Sequence, residues 1–284
     1  MSYTDAQVHL WAKESPDNPW VPGSGNPAHG DEYTSERLLA EMDAAGVARA
    51  ILVPSAREQD RNDTCLAAAA RYPDRFAVMG RVPLTGDFER ERLYAWREQP
   101  GMLGLRVSAV SGPADFLRDG SANWLWAIAE EAGLPVMLYL AGEIAPIRTI
   151  AERHPGLRLI VDHLGLPTTR VNEQIDSGLV ELIGLRDLEN VAVKATCLPN
   201  HVTEPYPFRG LHDRVHRVVD AFSPQRVFWG SDLTRLRSTY DEVRRLFTDE
   251  LDFLDVGDLD WIMDRGVREW LDWHLPDEDI IDGL

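Results

Sequence analysis

Eight short apolar segments alternate with longer segments of helical period along the 284-residue chain, and this alternation constrains the fold more than any other feature. The apolar segments have the length and β-branched content of strands. Strands that alternate with helices are typical of a parallel sheet built from βα units. The predicted strands are residues 3–9, 49–55, 76–82, 104–109, 135–140, 157–163, 190–197 and 226–232.

The segments between these strands are amphipathic and end near Gly or Pro. Gly46 and Gly133 each stand just before a predicted strand, where a left-handed glycine commonly ends a helix. The main predicted helices are residues 35–45, 63–71, 123–132, 144–154, 215–222 and 240–248. No glycine-rich phosphate loop follows any strand, which disfavours a doubly wound nucleotide-binding sheet. We therefore predict one (β/α)8 TIM barrel over residues 1–284.

Three segments fall outside the regular alternation. Residues 11–33 contain four prolines and are too long for an ordinary βα connection, so we interpret them as an active-site insertion. Residues 198–210 form a second long irregular segment after the seventh predicted strand. Residues 258–273 have the pattern of an extra terminal helix that packs against the barrel.

Charge and cysteine content exclude several classes of function. The chain has 47 acidic and 29 basic residues, a formal net charge of −18, so we expect neither nucleic acid nor an anionic membrane as a partner. Two cysteines are too few for a disulfide framework, and the sequence shows neither a secretory signal nor a membrane-spanning stretch. We expect a cytoplasmic protein with a small-molecule partner. The oligomeric state stays open, a homo-oligomer included.

Polar residues at the carboxyl ends of the predicted strands mark the candidate site, because these ends face the active-site mouth of an α/β barrel. The alternation of side chains along the first strand predicts that Asp5, Gln7 and His9 all point inward. The structural alternative is a hydrogen-bonded core group for Asp5 and Gln7 and a mouth residue in contact with solvent for His9. The strand-end residues are Gln7, His9, Ser55, Arg81, Arg106, Tyr139, His163 and Asp232.

Three sequence blocks carry a resemblance to a known family: D-A-Q-V-H-L-W at 5–11, I-V-D-H-L-G-L-P at 160–167 and R-V-F-W-G-S-D-L at 226–233. They resemble the amidohydrolase-2 group of the amidohydrolase superfamily, which contains sugar-lactone and dicarboxylate lactonases and zinc-dependent decarboxylases. The segment from Asn190 to Lys194 also resembles the seventh strand of that family. The resemblance extends over nearly the whole chain and implies an enzyme on a TIM barrel.

The chain departs from the family pattern at Gln7, where relatives have the first residue of His-x-His or Glu-x-His. A neutral amide binds a divalent cation less well than imidazole or carboxylate. The fifth strand also lacks the histidine that some metal-dependent relatives place there. We therefore expect no cofactor. A single divalent metal such as zinc, held by His9, His163 and Asp232, stays open as the alternative.

The resemblance and the strand-end positions together predict roles for the site residues. Asp232 is expected to activate water as a general base, with helix capping as its structural alternative. His163 and His9 are expected to polarise the substrate carbonyl or to protonate the leaving group. Arg106 presents a planar fork suited to a substrate carboxylate, although an internal aspartate is the alternative partner. Gln7 is expected to orient the ligand or the water.

Weaker substrate contacts are expected from Arg81 and Tyr139, from Tyr206 in the 198–210 segment, and from Trp11 with Trp20 in the insertion. Asp162 is expected to point away from His163 because adjacent strand residues face opposite sides. Two residues are not expected to act as nucleophiles. Ser231 lacks the G-x-S-x-G elbow of serine hydrolases, and Cys197 is expected to be buried or to support the site.

These observations predict a hydrolase that opens a small carboxylated lactone, or a related amide, with Asp232 as the base. The alternative enzyme is a metal-dependent decarboxylase of an aromatic or muconate-type acid. An alternative of another class is a non-catalytic barrel that binds a ligand.

Overall fold

The computed structural model describes residues 2–22, 24, 29–84, 88–109 and 115–274, and it contains eight strands that pair in parallel in sequence order. This is the (β/α)8 barrel expected from the sequence, and each of the eight predicted strands is confirmed. The strands are β1 Thr4–Val8, β2 Arg49–Leu52, β3 Phe76–Gly80, β4 Met102–Ser108, β5 Val136–Tyr139, β6 Leu159–Val161, β7 Val191–Thr196 and β8 Val227–Gly230.

Helices follow the strands as the amphipathic segments predict. The glycines that end helices α1 and α4 have the expected left-handed backbone, with φ of 70° at Gly46 and 65° at Gly133. The short helix from β3 to β4 is a 3-10 helix, Arg90–Glu98. The α-helices are α1 Ser35–Ala45, α2 Asp63–Arg71, α3 Asp115–Arg118, α4 Asn123–Glu131, α5 Ala145–Arg153, α6 Asp176–Ile183, α7 Arg209–Phe222, α8 Tyr240–Arg245, α9 Val256–Asp260 and α10 Gly266–Leu271.

The predicted helix 215–222 is the second half of α7, which begins at Arg209, so the irregular segment before it is shorter than predicted. The predicted terminal helix corresponds to α9 and α10, which are joined through a single π-helical turn, Trp261–Arg265. Within the insertion, an isolated bridge between Trp11 and Tyr33 ties its two ends together. Residues 23 and 25–28 of the insertion lie outside the described part of the chain. Among the described residues, no helix is long and apolar enough to cross a membrane.

The core has two parts, one outside the sheet and one inside the barrel. Alternate strand residues such as Val78, Val193 and Trp229 pack outward against the helices. The inner part is a smaller apolar cluster to which all eight strands contribute and which α10 closes at one end. Its strand members are Ala6, Ile51, Ala77, Met79, Leu103, Met137, Ile160, Ala192 and Phe228, and Val53 joins them just after β2. Apolar packing thus fills the barrel below the mouth, where the polar strand ends lie.

The seam between β1 and β8 depends on Gly230 and Asp5. A Cβ atom on Gly230 would lie 2.9 Å from both the Ala6 nitrogen and Asp5 Oδ1, so only glycine allows this approach. Asp5 accepts hydrogen bonds from the Ser231 amide and hydroxyl and from the Tyr240 hydroxyl. Burial raises the pKa of Asp5 to about 6, although these donors oppose the rise.

The prediction that Asp5 points inward with Gln7 and His9 is therefore wrong. Tyr240 belongs to the outer core, whereas Ala6 belongs to the inner one, so Asp5 lies on the outer side of β1. The physical reason is an irregularity in the β1–β2 register between Asp5 and Val8, which interrupts the two-residue alternation of side chains.

Candidate active site

Three strand ends bring His9, His163 and Asp232 together at the mouth of the barrel. His9 Nε2 lies 3.3 Å from Asp232 Oδ1, and His163 Nε2 lies 3.9 Å from Asp232 Oδ2. The sequence predicted these three residues as the catalytic set, and the structure brings them together. Asp232 is fully buried, and neither carboxylate oxygen accepts a well-aligned hydrogen bond from any described residue.

The backbone turns sharply where the strands deliver these groups. His163, Cys197 and Asp232 follow β6, β7 and β8, and their φ angles are 52°, 60° and 54°. This left-handed region is uncommon for residues other than glycine and costs on the order of 1 kcal/mol per residue. The turn rotates each side chain out of strand alternation, so that His163 and the preceding Asp162 both reach the interior.

Gln7 fixes the tautomer of His9. Lys194 Nζ donates to Gln7 Oε1 at 2.5 Å, so the Gln7 amide nitrogen must face the other way, toward His9 Nε2 at 3.2 Å. His9 Nδ1 lies 2.8 Å from the Val53 carbonyl oxygen, which can only accept. His9 therefore carries its proton on Nδ1, and its Nε2 lone pair faces Gln7 and Asp232.

A buried ion network lies beside Gln7 and was missed in the sequence. Lys194 Nζ contacts Asp162 Oδ1 at 2.8 Å, and Arg106 Nε contacts Asp162 Oδ2 at 2.5 Å. Burial lowers the pKa of Lys194, although Asp162 opposes this. Burial alone would raise the pKa of Asp162, but Arg106 and Lys194 outweigh it and lower the pKa. The signal in the sequence was one charged residue on each of two largely apolar segments, Asp162 near the end of 157–163 and Lys194 within 190–197.

The prediction that Asp162 points away from the site is wrong, because the turn at His163 breaks the alternation on which it rested. Arg106 finds an internal aspartate, Asp162, as the partner of its Nε atom. Its two Nη atoms have no protein partner in the part of the chain that the structure describes, which leaves them able to bind a ligand. The Arg106 guanidinium also lies over the Tyr139 ring, 5.7 Å from the ring centroid.

His163 is held as a neutral imidazole. Its Nδ1 atom lies 2.7 Å from the Thr196 hydroxyl, and its ring packs edge-on against Tyr139 with the ring centroids 4.8 Å apart. Burial lowers the pKa of His163 to about 4, although Asp232 and Asp162 oppose the change. The Asp232 carboxylate beyond Nε2 favours the tautomer with the proton on Nε2, in which the Thr196 hydroxyl donates to Nδ1. The 3.9 Å separation from Asp232 is too long for a direct hydrogen bond.

Asp232 is ionised at neutral pH. Burial alone would raise its pKa, yet the pKa is held below the usual range, with the charge of Arg235 among the causes. Its backbone amide donates to the Gln7 carbonyl at 2.9 Å, which fixes the turn against β1. Cys197 is buried beside the carboxylate, and burial together with Asp232 raises the pKa of its thiol. It is therefore a neutral thiol in a supporting position, as expected.

The residues predicted as weaker substrate contacts take different positions around the cluster of His9, His163 and Asp232. Tyr139 is part of its wall, but its hydroxyl donates to the Leu166 carbonyl at 3.1 Å. Arg81 lies at the rim after β3, with its Nε atom 3.6 Å from Asp60. Trp11 is buried and stacks on Tyr33 with the ring centroids 5.3 Å apart. These residues remain candidate contacts through rings or guanidinium groups.

Tyr206 is not brought to the cluster. Its hydroxyl donates to Glu250 Oε1 at 2.5 Å, and Arg245 lies over its ring. Both partners belong to α8 and the π-helical turn that continues it, on the outside of the barrel. The irregular segment after β7 therefore carries Tyr206 toward the helices and away from the mouth.

The residues present fit a divalent cation poorly. The Gln7 amide N–H occupies the lone pair of His9 Nε2, and the Lys194 ammonium that orients this amide lies in the same buried space. No group of three or more His, Cys, Asp and Glu side chains among the described residues has an arrangement that could hold a metal ion.

Comparison with known proteins gives the same fold. A family model described as Amidohydrolase matches residues 4–277. An L-fucono-1,5-lactonase of Burkholderia multivorans is 28% identical over 261 residues, which cover 85% of this chain and 86% of the lactonase.

Two solved structures share the architecture and show the fold alone. An amidohydrolase of Burkholderia multivorans with bound zinc superposes with a TM-score of 0.81 at 21% identity, covering 96% of this chain and 99% of that one. A probable 2-pyrone-4,6-dicarboxylic acid hydrolase of Acinetobacter baumannii with citric acid bound has a TM-score of 0.76 at 16% identity, covering 96% and 100%.

Proposed function

This chain belongs to the amidohydrolase family, and from that membership we propose that it is a lactonase that hydrolyses a small carboxylated lactone without a metal ion. The observation that carries the proposal is the buried Asp232 carboxylate, which faces the Nε2 atoms of His9 and His163 and accepts no well-aligned hydrogen bond from the described residues. The carboxylate is ionised at neutral pH and can therefore accept a proton from a bound water, although its lowered pKa makes it a weaker base than an ordinary aspartate. The lactonase relative supports the reaction class.

The chemistry proceeds in two proton transfers. Asp232 takes a proton from water as the water oxygen bonds to the lactone carbonyl carbon. The Nε2–H of neutral His163 donates a hydrogen bond, without transfer of its proton, to the carbonyl oxygen on which negative charge develops. The ring C–O bond then breaks, and protonated Asp232 returns its proton to the leaving oxygen. The products are a carboxylic acid and an alcohol, and the enzyme returns to its initial state.

Substrate recognition falls to the positive groups beside the base. The free Nη atoms of Arg106 suit a substrate carboxylate, because a guanidinium binds a carboxylate through two parallel hydrogen bonds. Arg81 lies close enough to Arg106 for each charge to affect the other, and burial and this proximity lower the pKa of Arg81. Gln7 and His9 are fixed by Lys194 and Val53, so they form one rigid side of the pocket.

The test is a hydrolysis screen of lactones with and without a ring carboxylate, run with and without chelator. We expect turnover of carboxylated lactones that chelator does not change. Release of carbon dioxide from an aromatic or muconate-type acid, lost with chelator and restored by zinc, would favour the decarboxylase alternative. Saturable binding of such acids without any turnover would favour a non-catalytic barrel.

A further inference from the structure

Arg57 is a guanidinium held in place by aromatic rings at the rim of the barrel. It belongs to the short 3-10 helix Ala56–Glu58 that follows β2. Its Cζ atom lies 4.5 Å from the Trp11 ring centroid and 5.9 Å from that of Trp20, both in the insertion after β1. Stacking on aromatic faces restricts a guanidinium without neutralising its charge.

Arg57 lacks the anionic partner that comparable arginines have. Partly buried Arg49, Arg158 and Arg214 each lie within 3.5 Å of a carboxylate oxygen. Among the described residues, Arg57 has no such carboxylate, and its Nε atom is buried without a hydrogen-bond partner. Its one polar side-chain contact is the Ser55 hydroxyl at 3.5 Å. In a chain with 47 acidic residues, this isolation needs an explanation.

The residues that contact Arg57 are close in sequence to His9 and to the group that holds it. Trp11 stands two residues after His9. Ser55 stands two residues after Val53, whose carbonyl oxygen holds the His9 ring. After β8, which neighbours β1, Arg235 follows Asp232 by three residues, and its side chain is half exposed. Burial and the nearby charge of Arg235 lower the pKa of Arg57. The two guanidinium groups thus lie near each other at the same rim: Arg235 Nε lies 3.9 Å from Asp232 Oδ2, whereas Arg57 has no carboxylate partner among the described residues.

We propose that Arg57, clamped by Trp11 and Trp20, binds an anionic oxygen group of the substrate at the rim, separate from the carboxylate that Arg106 receives. This inference rests on the proposed lactonase function where it concerns the reaction, whereas anion binding at Arg57 does not depend on that function. The ligand class is a lactone that carries a second negative group, a carboxylate or a phosphate. Arg57 selects such lactones over neutral ones, and Arg235 adds positive charge at the same rim.

A binding experiment tests the site without any turnover. Malonate, succinate, citrate and inorganic phosphate are titrated into the wild-type protein by isothermal calorimetry at low and high salt, and then into Arg57→Gln and Arg57→Lys. We expect saturable binding of at least one anion, weakened roughly 10- to 100-fold by Arg57→Gln, because hydrogen bonds to charged groups contribute that much. Arg57→Lys should be intermediate, since an ammonium lacks the planar fork. High salt should weaken binding.

The matched control is Arg265→Gln. Arg265 also stacks on a tryptophan, Trp261, at 4.1 Å, but it lies beyond the closed end of the barrel. This variant should bind anions as the wild type does. Thermal unfolding of each variant separates a lost contact from a lost fold. Equal anion affinity in wild type and folded Arg57→Gln overturns the proposal, and so does the absence of saturable binding of all four anions to the wild type.

A kinetic comparison separates this inference from the proposed function. For a matched pair of carboxylated lactones with and without a second anionic group, Arg57→Gln should raise KM for the first roughly 10-fold or more and leave kcat and the second substrate unchanged. If no lactone is hydrolysed but anion binding depends on Arg57, the lactonase proposal fails and the anion site stands. If lactones are hydrolysed and Arg57→Gln changes neither KM, the anion site fails.

Discussion

Lys194 and Gln7 are 187 positions apart in the sequence, yet the Lys194 ammonium donates to the Gln7 side-chain oxygen at 2.5 Å inside the barrel. This contact sets which end of the amide faces His9, and through it the tautomer of the imidazole. The residue at which the chain departs from its relatives is thus held by a buried cation on β7, two strands away around the barrel. The first predictions concern these two residues.

Replacing Lys194 should weaken the fold strongly. Lys194→Met leaves Asp162 buried with Arg106 as its remaining ionic partner, and removal of one member of a buried pair commonly costs about 3–5 kcal/mol. Urea denaturation measures the loss in free energy of unfolding. The matched surface control is Arg245→Met, whose partner Asp249 lies 2.7 Å away with both side chains about two-fifths exposed. It should cost about 1 kcal/mol or less. Equal losses in both variants would contradict the importance assigned to the buried network.

Gln7→His should raise metal affinity. An imidazole at this position adds a ligand of the type that zinc prefers and removes the amide N–H from the His9 lone pair. Elemental analysis should find little metal in the native protein and measurably more zinc in the variant, without a gain in lactone hydrolysis. Stoichiometric metal in the native protein, with activity abolished by chelator and restored by zinc, would instead support the decarboxylase alternative.

Asp232→Asn should lose at least two orders of magnitude in kcat and retain substrate binding, because general-base catalysis commonly contributes roughly 10²- to 10⁴-fold. Steady-state kinetics measure kcat, and isothermal calorimetry measures binding of the carboxylated lactone, so the two effects are separated. Cys197→Ser serves as the matched neighbour, since the thiol lies beside the same carboxylate and takes no part in the proposed proton transfers. Near-normal turnover by folded Asp232→Asn would exclude Asp232 as the base.

Arg106→Lys should raise KM for a carboxylated lactone roughly 10-fold or more, with a smaller effect on kcat, because a single ammonium cannot pair with both Asp162 and a bidentate carboxylate. The replacement side chain must also pair with Asp162, whose Oδ2 atom lies 2.5 Å from Arg106 Nε in the native protein. Michaelis constants for the acid-bearing lactone and for its methyl ester provide the comparison. An unchanged ratio between the two substrates would make Arg106 structural.

Acid should destabilise the protein through His163. The unfolded histidine titrates near 6.5, whereas burial lowers its pKa to about 4 in the fold. Between these values the unfolded chain binds a proton that the folded chain does not, so the free energy of unfolding falls as pH decreases, by up to about 1.4 kcal/mol per pH unit. Denaturation at pH 7 and pH 5 should show a smaller loss for His163→Gln than for wild type. Identical losses would place the histidine pKa near its ordinary value.

The sequence was sufficient for the barrel because periodicity and helix ends depend on local physics. The boundaries of α1 and α2 agree with the predicted ranges, and the glycine predicted to end α1 has the expected left-handed backbone. Strand-end polarity likewise identified His9, His163 and Asp232, which the structure brings together. Their chemical roles stay predictions until they are tested.

The errors arose where local periodicity fails. Asp5 was assigned to the wrong face because β1 is irregular, and Asp162 because the following residue adopts a left-handed turn. Lys194 and Arg57 were missed because their importance depends on long-range neighbours: Gln7 and Asp162 for one, Trp11 and Trp20 for the other. Sequence spacing carries little information on which distant side chains share a buried charge.

The left-handed turns at His163, Cys197 and Asp232 bring the geometry of the pocket into conflict with the stability of the fold. Glycine or asparagine at these positions would relieve backbone strain on the order of 1 kcal/mol each. Descendants that lose the reaction are therefore free to become more stable at His163 and Asp232, two positions that the reaction requires. Selection for thermostability alone, without regard to turnover, would first remove His163 and Asp232. A stable relative with glycine at these two turns would therefore be a barrel that no longer performs this chemistry.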